Sequence, residues 1–303
     1  MWGWSRNRVL HGCGRALLAI AFAGGAHAQL GLFSSEQRIE FTREWKGERF
    51  PDGRPKVPES ILERMKNVSA EEAWSVVQRA GYHDHFERGW QRFNPSKERL
   101  VGRVVTALFL PIRPDVNAVI LDHGKSENRV GPGENSWVID TLQPGDVLVV
   151  DEFEKYNFMG DNLATAVFTK SKNGIVVNGG VRDLSGISEI EGFTGYVRGF
   201  HPSSVTHGIR NVMLMGINVP IRIGDTTVMP GDVVLGDPEG LMFIPAQLAE
   251  KVVDYADDTH LRDEWGHMML REGKYTPGQI DSKWSQQMEN EFQRWVEQKK
   301  KPK

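Results

Sequence analysis

Two short segments carry the residue types that chemistry on a small anion needs. The first, Gly160-Asp161-Asn162-Leu163, stands where a helix is expected to begin, and the second, Asn178-Gly179-Gly180-Val181-Arg182-Asp183, ends the strand that follows. A helix N-terminus presents unpaired N–H groups and the positive end of a dipole, which suits a carboxylate. The glycine pair lets backbone approach a ligand closely. Arg182 offers a planar fork for an oxyanion and Asp183 a hard oxygen for a divalent cation, so an anion clamp and a metal ligand occupy adjacent positions. The pattern alone also allows a plainer reading: an Asp cap, a glycine turn and a surface Arg-Asp pair.

The surrounding elements must hold these segments in place. Pro144-Gly145-Asp146 is a turn, and Val147 to Asp151 reads as a buried strand. Leu163 to Lys172 suits a helix capped by Asp161 or Asn162, and Gly174 to Asn178 returns to strand. This is a βαβ unit, with its polar loops gathered at the strands' C-terminal ends, where open α/β sheets bind ligands. Arg103 to Leu110 and Val116 to Leu121 are rich in β-branched residues and are expected as strands. Further strands are expected at Gly195 to Val197, Val219 to Ile223, Thr226 to Val228, Val233 to Leu235 and Leu241 to Ile244. Ile61, Leu62 and Met65 repeat at helix spacing, and Ser69 with Glu72 forms a capping box before a second short helix. Beyond Pro245 the periodicity predicts a helix carrying Leu248, Val252, Val253 and Ala256, then two more over Thr259 to Gly273 and Asp281 to Val296.

The segment from Pro144 to Pro245, with its GDVLVVD, GDNLATA, GIVVNGGVRD and VPIRIGDTTVMPGDVVLGDPEGLMFIP runs, resembles the RraA-like family. That family includes 4-hydroxy-4-methyl-2-oxoglutarate aldolases, oxaloacetate decarboxylases and a regulator of RNase E. Upstream DGRPKVPESILERMK and GRVVTALF, and downstream LREGKYTPGQID, extend the resemblance over about residues 50 to 285. It implies a swivelling β/β/α domain, an α/β fold assembled as a trimer or hexamer. By the same resemblance, Gly160 to Leu163 would hold a pyruvate-type carboxylate and Arg182 would contact substrate oxygens. Asp183 would ligate Mg²⁺ or Mn²⁺ while Asp161 organises its waters. The implied activity is metal-dependent cleavage of a 2-oxo acid to pyruvate, the alternative being a non-catalytic, protein-binding regulator. The base would come from a neighbouring subunit's C-terminal segment, with Glu264 the candidate and Asp263 and Asp258 close competitors. Asn178 departs from the Asp that many relatives carry.

Other polar groups carry weaker signals. His260, Glu264 and His267 share one helical face but not the HExxH spacing, so a second metal site is not the expected reading. His83-Asp84-His85 and Thr206-His207-Gly208 read as polar loops.

Composition bounds the rest. A chain of 303 residues, 39% apolar and 25% charged, can bury a core, and 32 Gly with 15 Pro argue against a long-helix design. The formal charge of −3 argues against nucleic acid as the partner, since phosphate neutralisation needs a Lys/Arg excess. The Lys299, Lys300, Lys301, Lys303 tail reads as a solvated end. Arg6, Arg8 and Arg15, the apolar Ala16 to Ala23 and the Ala26-His27-Ala28 site predict a signal peptide over 1–28 and a secreted, periplasmic protein with no membrane segment after cleavage. The one cysteine, Cys13, would leave with it. The expected organisation is an extended arm over 29–58, an RraA-like domain over 59–258 and a helical extension over 259–303.

Overall fold

The computed structural model describes residues 33–94, 99–131, 133–202 and 211–299. The predicted signal peptide, the Thr206-His207-Gly208 loop and the tail beyond Lys299 lie outside the described residues.

The βαβ unit forms as expected. Strand β4 (Asp146–Asp151) and strand β6 (Ile175–Val181) lie side by side in parallel, joined through β5 (Asn157–Met159) and helix α6 (Asp161–Ser171). On one flank β4 pairs in parallel with β3 (Leu100–Pro111), and on the other β6 pairs in parallel with β7 (Gly195–Phe200). These four make the middle of a mixed sheet. Antiparallel β11 (Val233–Gly236) and β12 (Leu241–Ile244) extend it past β3, ending at the short β1 (Phe86–Glu87), and β2 (Gln91–Phe93) closes the other edge. Among the described residues the sheet has ten strands, including β8 (Val212–Ile217), which pairs with the far end of β3.

Strand alternation sorts the side chains. Val105, Ala107, Phe109, Leu148, Val150, Val177 and Val181 point to one face, where α6, α4 (Pro114–Ser126) and α5 (Asn135–Ile139) cover them. Val104, Val147, Val149 and Val176 face the opposite way, under the β9 (Ile221–Ile223) and β10 (Thr226–Val228) hairpin. A third apolar layer joins α2 (Glu59–Met65), α3 (Ala70–Arg79) and the long α8 (Ala249–Arg271) to β11 and β12.

Three expectations change. Val116 to Leu121 is helix α4, not strand: Pro114 starts its first turn, and Ile120 and Gly124, one turn apart, face the core. Helical period outweighs β-branched composition here. Gly124 is required mid-helix because a Cβ there would collide with the Trp137 ring. The arm is not simply extended, since Ser34 and Gln37 form a capping box for α1 (Ser35–Phe41). It also packs against the sheet of its own chain: Arg54, 1% exposed, lies 3.2 Å from Asp146 and 2.8 Å from Asp52. Burial opposes the charge on Arg54, but the two aspartates outweigh it and hold the guanidinium charged. Finally, α8 runs unbroken from Ala249 to Arg271, one helix where two were expected. Its C-terminal half packs Trp265 and Met269 against Met288, Phe292 and Val296 of α10 (Gln286–Lys299), with the turn of α9 (Pro277–Ile280) beside them.

Candidate functional site

The C-terminal edge of β4 and β6 brings the two sequence segments together. Gly160, not Asp161 or Asn162, is the N-cap of α6, and no side chain caps that helix. Asp161 is the first helical residue; its carboxylate accepts from the Asn162 N–H at 2.8 Å. The remaining first-turn N–H groups have no capping side chain to serve, and the dipole of an eleven-residue helix points at the same spot.

Arg182 and Asp183 close over this helix mouth. The Arg182 N–H donates to the Met159 carbonyl at 3.1 Å, which fixes the end of β6 beside the residue preceding Gly160. Asp183 takes a left-handed conformation, φ 58°, and is the N-cap of the short α7 (Leu184–Ser188). That conformation costs most residues something and Asp less, because its short side chain can bond locally. The Arg182 Nη1 donates to Asp183 Oδ2. A Cβ at Gly160 would collide with the Asp183 carboxylate and stand 3.1 Å from the Arg182 guanidinium, so the pair lies directly on glycine backbone. Asp161 joins from the other side: its Oδ2 lies 2.7 Å from where a Cβ on Gly186 of α7 would be. The Arg182 Nε is buried and has no hydrogen-bond partner, although the side chain is about a third exposed at 30%. An unsatisfied guanidinium donor beside a helix N-terminus is ready for an anion.

Behind the pair, a second array ties the strands together. The Asn178 Nδ2 donates to Asp151 Oδ1 at 2.9 Å, and its Oδ1 accepts from Arg198 Nε at 3.0 Å. Asn178 therefore has both ends of its amide engaged; an Asp there would set two carboxylates against each other. Arg198 stacks 3.8 Å from the Trp90 ring centre and lies 3.6 Å from Glu87. Next to Asp151, sequence reasoning missed Glu152. It is buried, its Oε2 has no partner, and burial, reinforced by the Asp151 charge, pushes its carboxyl up to about 8. The two following residues, Phe153 and Glu154, both have positive φ. No sequence signal separated Glu152 from an ordinary turn acid.

Glu264 lies elsewhere. It sits on α8 in the helical extension, where Lys299 donates to it, and none of its contacts reaches the Gly160–Asp183 cluster of its own chain. His260 turns to Glu72 instead, at 3.0 Å, joining α8 to the start of α3. His85 Nδ1 lies 2.7 Å from the Phe243 carbonyl, a structural contact. Among the described residues no three His, Cys, Asp or Glu side chains converge as metal ligands. A cleft of about 570 Å³ exists between the arm and α2, lined by Trp45, Lys56, Glu59, Arg103 and Gln247. It opens at the opposite, N-terminal edge of the parallel strands, where Arg103 is opposite Asp146. Its Lys56 and Arg103 bond Glu48 and Glu59, and the Arg103 Nε, like that of Arg182, is buried without a partner.

The sequence family described as RraA-like, Aldolase/RraA, matches residues 69–243. A putative 4-hydroxy-4-methyl-2-oxoglutarate aldolase of Halalkalibacterium halodurans is 32% identical over 142 residues, 45% of this chain and 65% of that one. A 4-hydroxy-4-methyl-2-oxoglutarate aldolase of Thermus thermophilus is 29% identical over 110 residues, 36% of this chain and 64% of its own. The chain thus spans just under two thirds of either relative. Among solved structures, an uncharacterized protein of Pseudomonas syringae superposes with a TM-score of 0.61 at 19% identity, covering 77% of this chain and 98% of its own. Streptomyces coelicolor RraAS2, described as an unusual member of the RNase ES inhibitor RraA family, gives 0.58 at 24% identity, covering 70% and 99%. At such identities these likenesses speak for the fold. With the sequence match spanning more than half its length, this mixed α/β chain belongs to the RraA-like family.

Proposed function

We propose that the protein is a divalent-metal-dependent lyase that cleaves a 2-oxo acid to pyruvate, similar to a 4-hydroxy-4-methyl-2-oxoglutarate aldolase, with oxaloacetate decarboxylase activity. One observation carries the reading: the Arg182–Asp183 pair lies on the backbone of Gly160, at an uncapped helix mouth, with a buried guanidinium donor unspent.

The α6 amides from Gly160 to Leu163 bind the carboxylate of the oxo acid, and Arg182 bonds the oxygens that gain charge as the C–C bond breaks. Asp183 bonds Arg182 through Oδ2 only, which leaves Oδ1 to bind a cation. One carboxylate, with Asp161 nearby to hold waters, fits Mg²⁺ or Mn²⁺, which take substrate and water oxygens for the rest of their shell, and does not fit a metal that needs nitrogen or sulfur ligands. When bound, such an ion supplies Lewis-acid stabilisation of the pyruvate enolate. In the retro-aldol step a base takes the 4-hydroxyl proton, the freed oxygen pair closes the carbonyl of one product as the C–C bond breaks, and the bonding pair is left on the carbon that then takes up a proton to become the pyruvate methyl. Glu264 of a neighbouring copy is the proposed base, since its own chain holds it away from the cluster. The proposal includes a trimer or hexamer, so that a neighbouring copy can supply this group, and secretion to the periplasm, on the signal-peptide pattern expected over residues 1–28.

The test is pyruvate release from oxaloacetate and from 4-hydroxy-4-methyl-2-oxoglutarate, with Mg²⁺ and then with EDTA. Release that EDTA abolishes is expected. Release that persists in EDTA overturns the metal mechanism, and no release from either compound overturns the lyase reading in favour of a non-catalytic, protein-binding role.

A further inference from the structure

Glu152 stands at the point where the two segments of the cluster branch. After Asp151 the chain turns through residues 152–156 into β5, which leads directly to Gly160, while the neighbouring β6 leads to Arg182 and Asp183. Here β6 changes partner: Asn178 pairs with Asp151 of β4, and Gly180 with Asn157 of β5. The turn grips that point. The Glu152 and Glu154 N–H groups both donate to the Asn178 carbonyl, at 3.2 and 2.8 Å, and the Gly180 N–H donates to the Tyr156 carbonyl at 2.7 Å. The Glu152 side chain, 2% exposed, lies against the residue between them: a Cβ on Gly179 would stand 3.1 Å from Glu152 Oε2 and 3.2 Å from its Cβ. Glycine at 179 therefore makes room for the carboxyl, three residues before Arg182.

This arrangement is costly to hold. Phe153 and Glu154 are both left-handed, at φ 44° and 64°, a conformation that such residues keep only where their surroundings impose it. Glu152 Oε2 is enclosed without a partner, which suits an uncharged acid and not a carboxylate. The charged groups of the surrounding elements are engaged elsewhere. Asp151 accepts from Asn178 and from the Phe153 N–H, Arg198 of β7 bonds Asn178 and lies 3.6 Å from Glu87 and 3.9 Å from Glu154, and Lys155 lies over the Tyr156 ring. Among the described residues the charge that acts on Glu152 is that of Asp151, which opposes its ionisation.

We infer that Glu152 is a positioning residue for the Arg182–Asp183 pair: its neutral carboxyl, packed against Gly179, holds the end of β6 where the pair can lie on Gly160. Once charged, the carboxylate must find water or a donor, and the backbone of Gly179 is what it displaces. The inference rests on the proposed function, in which that pair clamps the substrate.

Calorimetric titration of the full chain with oxalate in the presence of Mg²⁺, at pH 7 and pH 9, tests it, with kcat/KM for pyruvate release followed over the same range. Burial keeps the Glu152 proton up to about 8, so wild-type affinity should fall about tenfold between the two pH values, as the loss of one proton allows. The alkaline limb of kcat/KM should match it. Glu152→Gln cannot ionise and should bind at pH 9 within about twofold of its own affinity at pH 7. Glu152→Ala, which empties the space against Gly179, should bind about tenfold more weakly at pH 7, where Glu152→Gln does not. A merely structural acid would move the melting temperature of these variants and leave the pH dependence of binding as it is. If wild type and Glu152→Gln decline alike, or neither declines, the inference fails and the lyase reading stands; this comparison decides even if Glu152→Ala does not fold. If the wild type neither binds oxalate nor releases pyruvate, the clamp fails and takes the inference with it.

Discussion

Replacing Asp183 with alanine removes both the oxygen proposed to hold the cation and the acceptor that orients Arg182, so the two variants Asp183→Ala and Arg182→Ala should behave alike. Each is expected to lower kcat for pyruvate release by about 10²–10³, the usual cost of one preorganised electrostatic group, with circular dichroism unchanged. Arg182→Lys should not restore activity, because an ammonium cannot supply both the Nη1 bond to Asp183 and the unspent Nε donor. Glu152 gives a stability prediction with a definite sign. Its carboxyl is pushed from 4.5 to about 8 by burial, so between these pH values the folded chain keeps a proton that the unfolded chain has released. Stability contributed by the neutral acid is intact below about 4.5 and declines as pH rises toward about 8. Asp232, fully enclosed and raised to about 7, adds to the same slope. Glu152→Gln, permanently neutral, should therefore melt several degrees above the wild type at pH 8 and at the same temperature at pH 4; an equal shift at both would contradict the assignment. At this scale the sequence was informative about placement, since Arg182 and Asp183 do meet at Gly160 as their two segments suggested. It was silent on Glu152 and on Gly186, whose roles follow only from which backbone comes to lie against them.

Elements with a period long enough to read were legible, and those fixed by distant partners were not. The βαβ unit showed in its alternation of an apolar run, a capped helix and a second run. Helix α4 differs from the expected strand because a six-residue run with five β-branched or apolar members looks like a strand until Ile120 and Gly124 are counted one turn apart. Strand β8 went unnoticed, since its pairing to β3 joins residues about a hundred positions apart. The arm shows the same limit, since its anchor is the buried Arg54–Asp146 pair, across 92 positions. Arg54→Ala would leave Asp146, which is completely enclosed, without its cation, and should lower urea stability by about 3–5 kcal/mol. Unfolding at the wild-type midpoint would show that the arm is not held by this pair. Loss of the Ser69 cap is a milder case: Ser69→Ala should cost about 1 kcal/mol, because the Ser69 hydroxyl accepts from the Glu72 N–H and the Glu72 carboxylate accepts in return.

For the whole molecule, the long α8 ties the sheet to a separate aromatic core, where Trp265 lies 4.8 Å from Trp284 and 6.0 Å from Phe292. A helix of 23 residues is about 35 Å long, enough to carry Glu264 clear of its own sheet. If Glu264 acts on a neighbour, mixing inactive Asp183→Ala chains with inactive Glu264→Ala chains should restore part of the activity, because some mixed sites then hold both intact groups. Mixtures that stay inactive after confirmed subunit exchange would exclude that division of labour. The most direct test of the central claim is a crystal of the protein grown with Mn²⁺ and oxalate, a mimic of the pyruvate enolate, and read by anomalous scattering. A manganese peak on Asp183, with oxalate held by Arg182 and the Gly160–Leu163 amides, is the predicted result. A peak elsewhere, or none at this helix mouth at saturating ligand, would contradict it.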